Sequence, residues 1–305
     1  MRTQTSFLCF FVLVCVLFTG CGDKEPGGGS TSDQKGTRGS TLSVLTCSAD
    51  GTAVEQNDVV IIDYSHGQEG YLQVNYIGSN DKVKLQITTP QNSTYTFTLH
   101  GQGYETFPLT GGSGTYQISV FENISGDQYA TVLSKDLSID ITNEFGPYLY
   151  PNQYVDYAKS SAAIKKSEEL AKTSDTDLDV VTNVYNYMIS NFTYDYDKAA
   201  SVASGYLPNV DESLKSETGI CFDYAAVMAT MLRVQQIPTR LEIGYVGDIY
   251  HAWISVYIED IGWINGIVRF DGNEWEMMDP TFASTSKDPE EFVPTSSDYL
   301  LKYVY

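Results

Sequence analysis

Positive charge is scarce in this sequence: 18 Lys and Arg stand against 39 Asp and Glu, a formal net charge of −21. Nucleic-acid binding rests on cations that neutralise phosphates, and no basic cluster is present to do it, so no nucleic-acid partner is expected. The surplus acid reads as solubility outside the cell. Histidine is scarcer still, with three residues, His66, His100 and His251. No His or Cys pair stands at metal-ligand spacing, and neither a glycine-rich phosphate loop nor a cofactor fingerprint occurs. The expected chemistry therefore uses no metal and no cofactor. Cysteine is limited to five residues, three of them within the first 21.

What charge there is avoids the N-terminus. Arg2 leads into an uncharged apolar stretch from Phe7 to Phe18 that ends in "FTGC". It is too short to span a bilayer comfortably and reads as a signal peptide over residues 1–20. Small Thr19 and Gly20 before Cys21 are similar to a bacterial lipoprotein signal, with Phe18 where leucine is more usual. That likeness implies a lipidated Cys21, a membrane partner reached through acyl chains, and placement on the extracytoplasmic face of the cell membrane. A plain secretory signal cut elsewhere is the simpler reading. Residues 21–40, dominated by Gly, Ser, Thr and charge, have almost nothing to bury and read as a tether.

Residues 41–146 alternate with period two in "VVIIDYS", "YLQVNYIG", "KVKLQITT", "TYTFTLHG" and "TYQISVFENI", with turn residues between. The pattern predicts an immunoglobulin-like β-sandwich, without the Cys…Trp…Cys arrangement of an antibody domain. Helical periodicity begins after "FGPYLYPNQYVDY", so a second domain, of α+β type, is placed over 147–305. "SDTDLD" lacks the glycine and glutamate of a calcium loop, and Ser174 or Asp175 is expected to cap the next helix.

"SETGICFDYAAVMATMLR" sets one cysteine where turn residues give way to a helix-forming run from about Cys221 to Gln235. Unpaired N–H groups and the helix dipole there favour a thiolate, and the N–H of Cys221 can donate to an oxyanion. Gly219 is expected to let the backbone approach a substrate. A nucleophile needs a base, and with His66 and His100 in the β-rich region the candidate is His251. It opens the alternating strand "HAWISVYI". Asp279, ending the apolar "EMMDPTF" strand, can hold the imidazole in one tautomer. Plainer readings stand beside each: Cys221 as a buried small hydrophobe or disulfide-bonded to Cys47, His251 as a satisfied core histidine, Asp279 as a cap before Pro280.

Together "GICFDYA", "MLRVQQIPTRLEIGYV", "YHAWISVYI" and "MDPTF" resemble the transglutaminase-like superfamily, over about Tyr185 to Phe282. The resemblance implies a papain-like core with Cys221 as nucleophile, His251 as base and Asp279 as third member of the triad. It also implies a second oxyanion donor upstream of the cysteine, for which Tyr206 is a candidate that is not assigned to the site. Gln236 stands where the family often has glycine; in a left-handed conformation it costs about 1 kcal/mol. The expected activity is acyl transfer from a peptide or glutamine amide through a cysteine thioester, with hydrolysis favoured over cross-linking and a protein or peptide as substrate. The alternative is a non-catalytic scaffolding lipoprotein that keeps the fold.

Overall fold

The computed structural model describes residues 35–101, 103–266, 279–281 and 299–305, and the backbone alone of 268–270 and 275–277. The signal segment, Cys21 and most of the tether lie outside the described residues.

Eight strands come first: β1 (Val54–Gln56), β2 (Val60–Asp63), β3 (Tyr71–Tyr76), β4 (Val83–Thr88), β5 (Thr94–Leu99), β6 (Tyr104–Pro108), β7 (Gly114–Ser125) and β8 (Gln128–Ile139). They form two antiparallel sheets, ordered β1-β2-β3-β6 and β5-β4-β7-β8, so the chain changes sheet between β3 and β4, β5 and β6, and β6 and β7. Inward residues alternate as the pleat requires: β4 buries Val83, Leu85 and Ile87 while Lys84, Gln86 and Thr88 face out. Val74, Phe107, Phe97 and Ile118 share the core between the sheets, as in a sandwich of the expected kind. Strands β1, β6 and β8 lie outside the stretches whose alternation is legible. The longest of them, β8, exposes half its residues and carries polar ones among the rest.

The helical part contains α1 (Ala162–Ala171), α2 (Asp177–Asn191), the short strand β9 (Thr193–Tyr194), α3 (Tyr196–Ser201), α4 (Val210–Ser216), β10 (Thr218–Gly219) and α5 (Cys221–Arg233). A four-stranded antiparallel sheet follows, built from β11 (Thr239–Val246), β12 (Ile249–Ile258), β13 (Gly262–Ile264) and, beyond the two-stranded pair β14 (Val268–Phe270) and β15 (Trp275–Met277), β16 (Tyr299–Val304). The position expected for the domain boundary, near Pro147, falls between β8 and α1.

Helix α5 packs on α1, α2 and α4 on one side and on β11 and β12 on the other. Every residue from Asp223 to Arg233 is buried, which is why its sequence is apolar all round. The helix ends in a Schellman turn: Ile237 N–H donates to Leu232 O (3.1 Å), and Gln236 takes a φ of 62°. Its side-chain amide donates to Arg233 O (3.3 Å) and Ser43 O (3.2 Å), which offsets part of the strain that glycine would avoid. Fully buried Arg233 donates to the carbonyls of Thr239, Tyr150 and Tyr305, lashing the helix end to β11, to the segment before α1 and to the last strand. The cap of α2 differs from expectation. Thr176 closes a capping box with Asp179, one or two residues beyond Asp175 and Ser174; Asp175 instead accepts the backbone N–H and hydroxyl of Thr37.

Candidate active site

Cys221 is the first residue of α5 and is half-buried. What holds the helix start is the carboxylate two residues on. Asp223 is wholly buried; its Oδ2 accepts the Ile220 N–H (2.9 Å) and the Lys198 ammonium (2.7 Å), and its Oδ1 accepts the Tyr206 hydroxyl. A carboxylate at this position satisfies an otherwise orphan N–H and lies favourably in the helix dipole. Gly219 is explained by the same contact, because a Cβ there would stand 2.5 Å from Asp223 Cβ. This corrects the sequence expectation: the close neighbour that demands glycine is Asp223. The thiols of Cys221 and Cys47 are both free, so the disulfide reading is set aside. Cys47 lies apart, its thiol donating to Pro151 O (3.4 Å), and burial pushes it up to about 12.

His251 sits on β12 and is 4 % exposed. Its Nε2 stands 2.7 Å from Asp279 Oδ2, and the Cys221 thiol bonds the same ring, an arrangement that leaves Nδ1 for the sulfur. Burial by itself would lower the imidazole, but the charge and hydrogen bond of Asp279, with Cys221 behind them, raise it to about 10. Asp279 uses its other oxygen differently: Oδ1 accepts the Thr281 N–H (2.8 Å). Asp279 thus contacts the Thr281 N–H with one oxygen and the His251 ring with the other. All three sequence-derived residues converge on one place.

The wall behind His251 is a second buried carboxylate system. Glu242 on β11 accepts the Trp253 indole N–H (2.6 Å) and the Ser255 hydroxyl (2.7 Å) through the same Oε2. Trp253 stacks on His251 at 19° with ring centroids 6.2 Å apart. Burial raises the Glu242 carboxyl despite those two donors. Register makes the contact possible, because Glu242 lies opposite Trp253 across the β11–β12 ladder.

Cys221 and His251 open into a cleft of about 620 Å³. One wall comes from the β-sandwich, through Lys84, Thr96 and Thr98; another is the 202–207 stretch between α3 and α4. Tyr194, in β9, also lines it. The phenol of Tyr194 accepts the Cys221 backbone N–H, and burial first, then the neighbouring Cys221, raises it to about 12. It stays protonated at neutral pH and lies beside the backbone of Cys221 in the cleft. Tyr206, the other upstream tyrosine of the cleft, is engaged with Asp223. Sequence reasoning missed Tyr194, Asp223 and Glu242. Only Asp223 left a readable signal there, as an acid in the first turn of a helix with no Ser, Thr, Asp or Asn at its cap.

Residues 164–266 match the family model described as the transglutaminase-like superfamily. About a third of the chain, over these residues, is thus similar to a transglutaminase-like core. The match supports cysteine-based hydrolase or acyltransferase chemistry in general. The chain is also similar to the UPF0252 protein MJ1282 of Methanocaldococcus jannaschii, 24% identical over an aligned length of 243 that covers 72% of this chain and 68% of that one. Among solved structures it resembles the periplasmic domain of TgpA from Pseudomonas aeruginosa (18% identity, 80% of this chain and 78% of that one, TM-score 0.36). Red sea bream transglutaminase is a further neighbour (17% identity, 71% of this chain and 48% of that one, TM-score 0.28). The residues matched by the family model hold Cys221 and His251 and stop short of Asp279.

Proposed function

We propose that the protein is an acyl-transfer enzyme that cleaves peptide or glutamine amide bonds, with Cys221, His251 and Asp279 as its triad. The observation that carries this reading is the single imidazole bonded at once to a carboxylate at 2.7 Å and to a thiol at a helix start. The Cys221 thiolate attacks the carbonyl carbon; the Cys221 N–H passes from the Tyr194 phenol to the oxyanion, and the Tyr194 hydroxyl donates to the same oxygen. As the C–N bond breaks, the His251 imidazolium gives its proton to the leaving amine, and a thioester remains. Water then attacks the thioester and passes its proton to His251. The thiolate departs and a carboxylic acid leaves the site; an amine in place of water would form a new amide instead. Hydrolysis is the favoured outcome, since none of the described lining residues marks an amine-acceptor site.

Residues 147–305 are the catalytic part in this proposal, and 41–146 the β-domain that walls the cleft. Alkylation separates enzyme from scaffold. Iodoacetamide at about pH 6 should label Cys221 far faster than Cys47, because the Cys47 thiol, at about 12, supplies almost no thiolate there. Tyr194→Phe should leave that alkylation rate unchanged, since displacement of iodide builds no oxyanion, while amide turnover falls by roughly 10- to 1,000-fold. Equal, slow labelling of both cysteines, together with wild-type turnover no higher than Cys221→Ala, would establish the scaffold reading.

We also propose that Cys21 bears the lipid anchor, which would place the enzyme on the extracytoplasmic face of the cell membrane. Cys21→Ser should release the protein from the membrane fraction or leave it unprocessed. Undiminished membrane association, without a diacylglyceryl mass on Cys21, would overturn this.

A further inference from the structure

Among the described residues lining the catalytic cleft, Lys84 is the only Lys, Arg, Asp or Glu. It projects from the outward face of β4, next to the edge strand β5, where its ammonium donates to Thr98 Oγ1 (2.7 Å). Among the described residues it has no carboxylate within salt-bridge distance. That is unexpected in a chain with 39 acids and 18 bases, where a half-buried cation has a surplus of acids to choose from. The 202–207 stretch closes over this corner: a Cβ on Gly205 would stand 3.4 Å from Thr98 Oγ1. The remaining lining is mostly tyrosine and small side chains, among them Tyr154, Tyr206 and Tyr250. Such a wall screens charge poorly, so an anion entering there is drawn to Lys84 more strongly than at an open surface.

We infer that the cleft selects amide substrates carrying a carboxylate, received by Lys84 with Thr98 beside it. The inference rests on the reading of Cys221 as nucleophile. It also gives the β-sandwich a role in specificity. The lysine is a charge-assisted donor to the substrate carboxylate, and Thr98 Oγ1, which accepts from Lys84, keeps its own proton to donate to the same group. Two sources share this chemistry: the free C-terminal carboxylate of a peptide, and an acidic side chain close to the scissile amide.

The test pairs two alkylating agents of similar size and opposite demand, anionic iodoacetate and neutral iodoacetamide, on the full chain, read by peptide mapping of Cys221. The His251 imidazolium favours iodoacetate in every variant and cancels between them. Lys84→Met should lower the iodoacetate-to-iodoacetamide rate ratio about tenfold, and Lys84→Arg should largely keep it. Turnover of matched peptides then identifies the source. Loss in Lys84→Met confined to peptides with a free C-terminus, against their C-terminal amides, assigns the terminal carboxylate; loss confined to peptides with Glu beside the glutamine assigns the side chain. A Cys221 that alkylates rapidly but with a ratio unmoved by Lys84→Met, or equal loss on neutral and anionic peptides, overturns the carboxylate inference and leaves the nucleophile standing. A Cys221 no faster than Cys47 with either reagent removes both.

Discussion

Asp279→Asn should lower kcat/KM for amide substrates by about two to four orders of magnitude while the protein stays folded. The two oxygens of Asp279 explain why one atom has such leverage. An asparagine at 279 has a single acceptor, and the Thr281 N–H, now 2.8 Å from Oδ1, claims it. The amide NH₂ is then turned toward His251 Nε2, which has to become an acceptor. The ring proton moves to Nδ1, facing the sulfur, where a base is needed. Turnover should fall mainly in kcat, because nothing in this change removes a wall of the cleft. The pH profile supplies an independent check. With Asp279 charged, the imidazole is held up at about 10, so the alkaline limb of wild-type kcat/KM should lie near there. Without that charge the burial that opposes protonation is left uncompensated, and the limb should shift downward. The same pair contributes to stability with a definite sign. A histidine raised from its ordinary 6.5 to about 10 stabilises the fold fully below about pH 6.5, and that contribution is lost as pH rises through about 10. Thermal melts of wild type from pH 6 to 10 should therefore decline more steeply than those of Asp279→Asn. An Asp279→Asn protein with wild-type kcat and an unmoved alkaline limb would remove Asp279 from the triad and leave the Cys221 and His251 pair.

Asp223→Ala should destabilise the protein by roughly 3 kcal/mol and blunt the thiol at the same time. Its carboxylate is the common acceptor for the Ile220 N–H, the Tyr206 hydroxyl and the Lys198 ammonium. Lys198 reaches solvent and half-buried Tyr206 lines the cleft, so both can rehydrate when the partner goes, and most of the cost comes from the buried Ile220 N–H left without an acceptor. A loss of this size corresponds to roughly 6–12 °C in Tm for a chain of this class. Since Cys221 is the first residue of the helix that Asp223 anchors, loosening that turn should also slow its alkylation. Asp223→Asn keeps one acceptor and should fall between Ala and wild type on both measures. A melt shifted by less than 2 °C, with the Cys221 alkylation rate unchanged, would show that the cluster does not hold the helix start.

The legible parts of this molecule are those with strong local pattern. Alternation over Val83–Thr88 and Thr94–Leu99 betrayed the sandwich because each strand buries only one face. Strand β8 alternates only from Leu133 to Ile139, with Lys135 at one inward position and mostly exposed residues before it, and escaped notice. Likewise the apolar run after Cys221 marks a helix, and the small number of histidines leaves His251 as the natural base. Those choices needed only residue type, spacing and chain order.

What the tertiary structure decided depends on contacts between segments far apart in the chain. That Asp279 divides its oxygens between a cap and an imidazole follows from how the 279–281 turn meets β12, 28 residues earlier. The pairing of Glu242 with Trp253 is a matter of register in the β11–β12 ladder, which a one-residue slip would reverse. Tyr194 reaches the Cys221 N–H because β9 and β10 pair in parallel just before α5. Lys84 shares a cleft with Cys221, 137 positions later in the chain, because the edge of the sandwich closes one side of it. The residue types that can do the chemistry were determined by the sequence alone, since a thiol, an imidazole and a carboxylate are properties of side chains. Which oxygen, which donor and which distant cation accompany them was decided only in three dimensions, because hydrogen bonds and charges act over a few ångströms of space irrespective of separation along the chain.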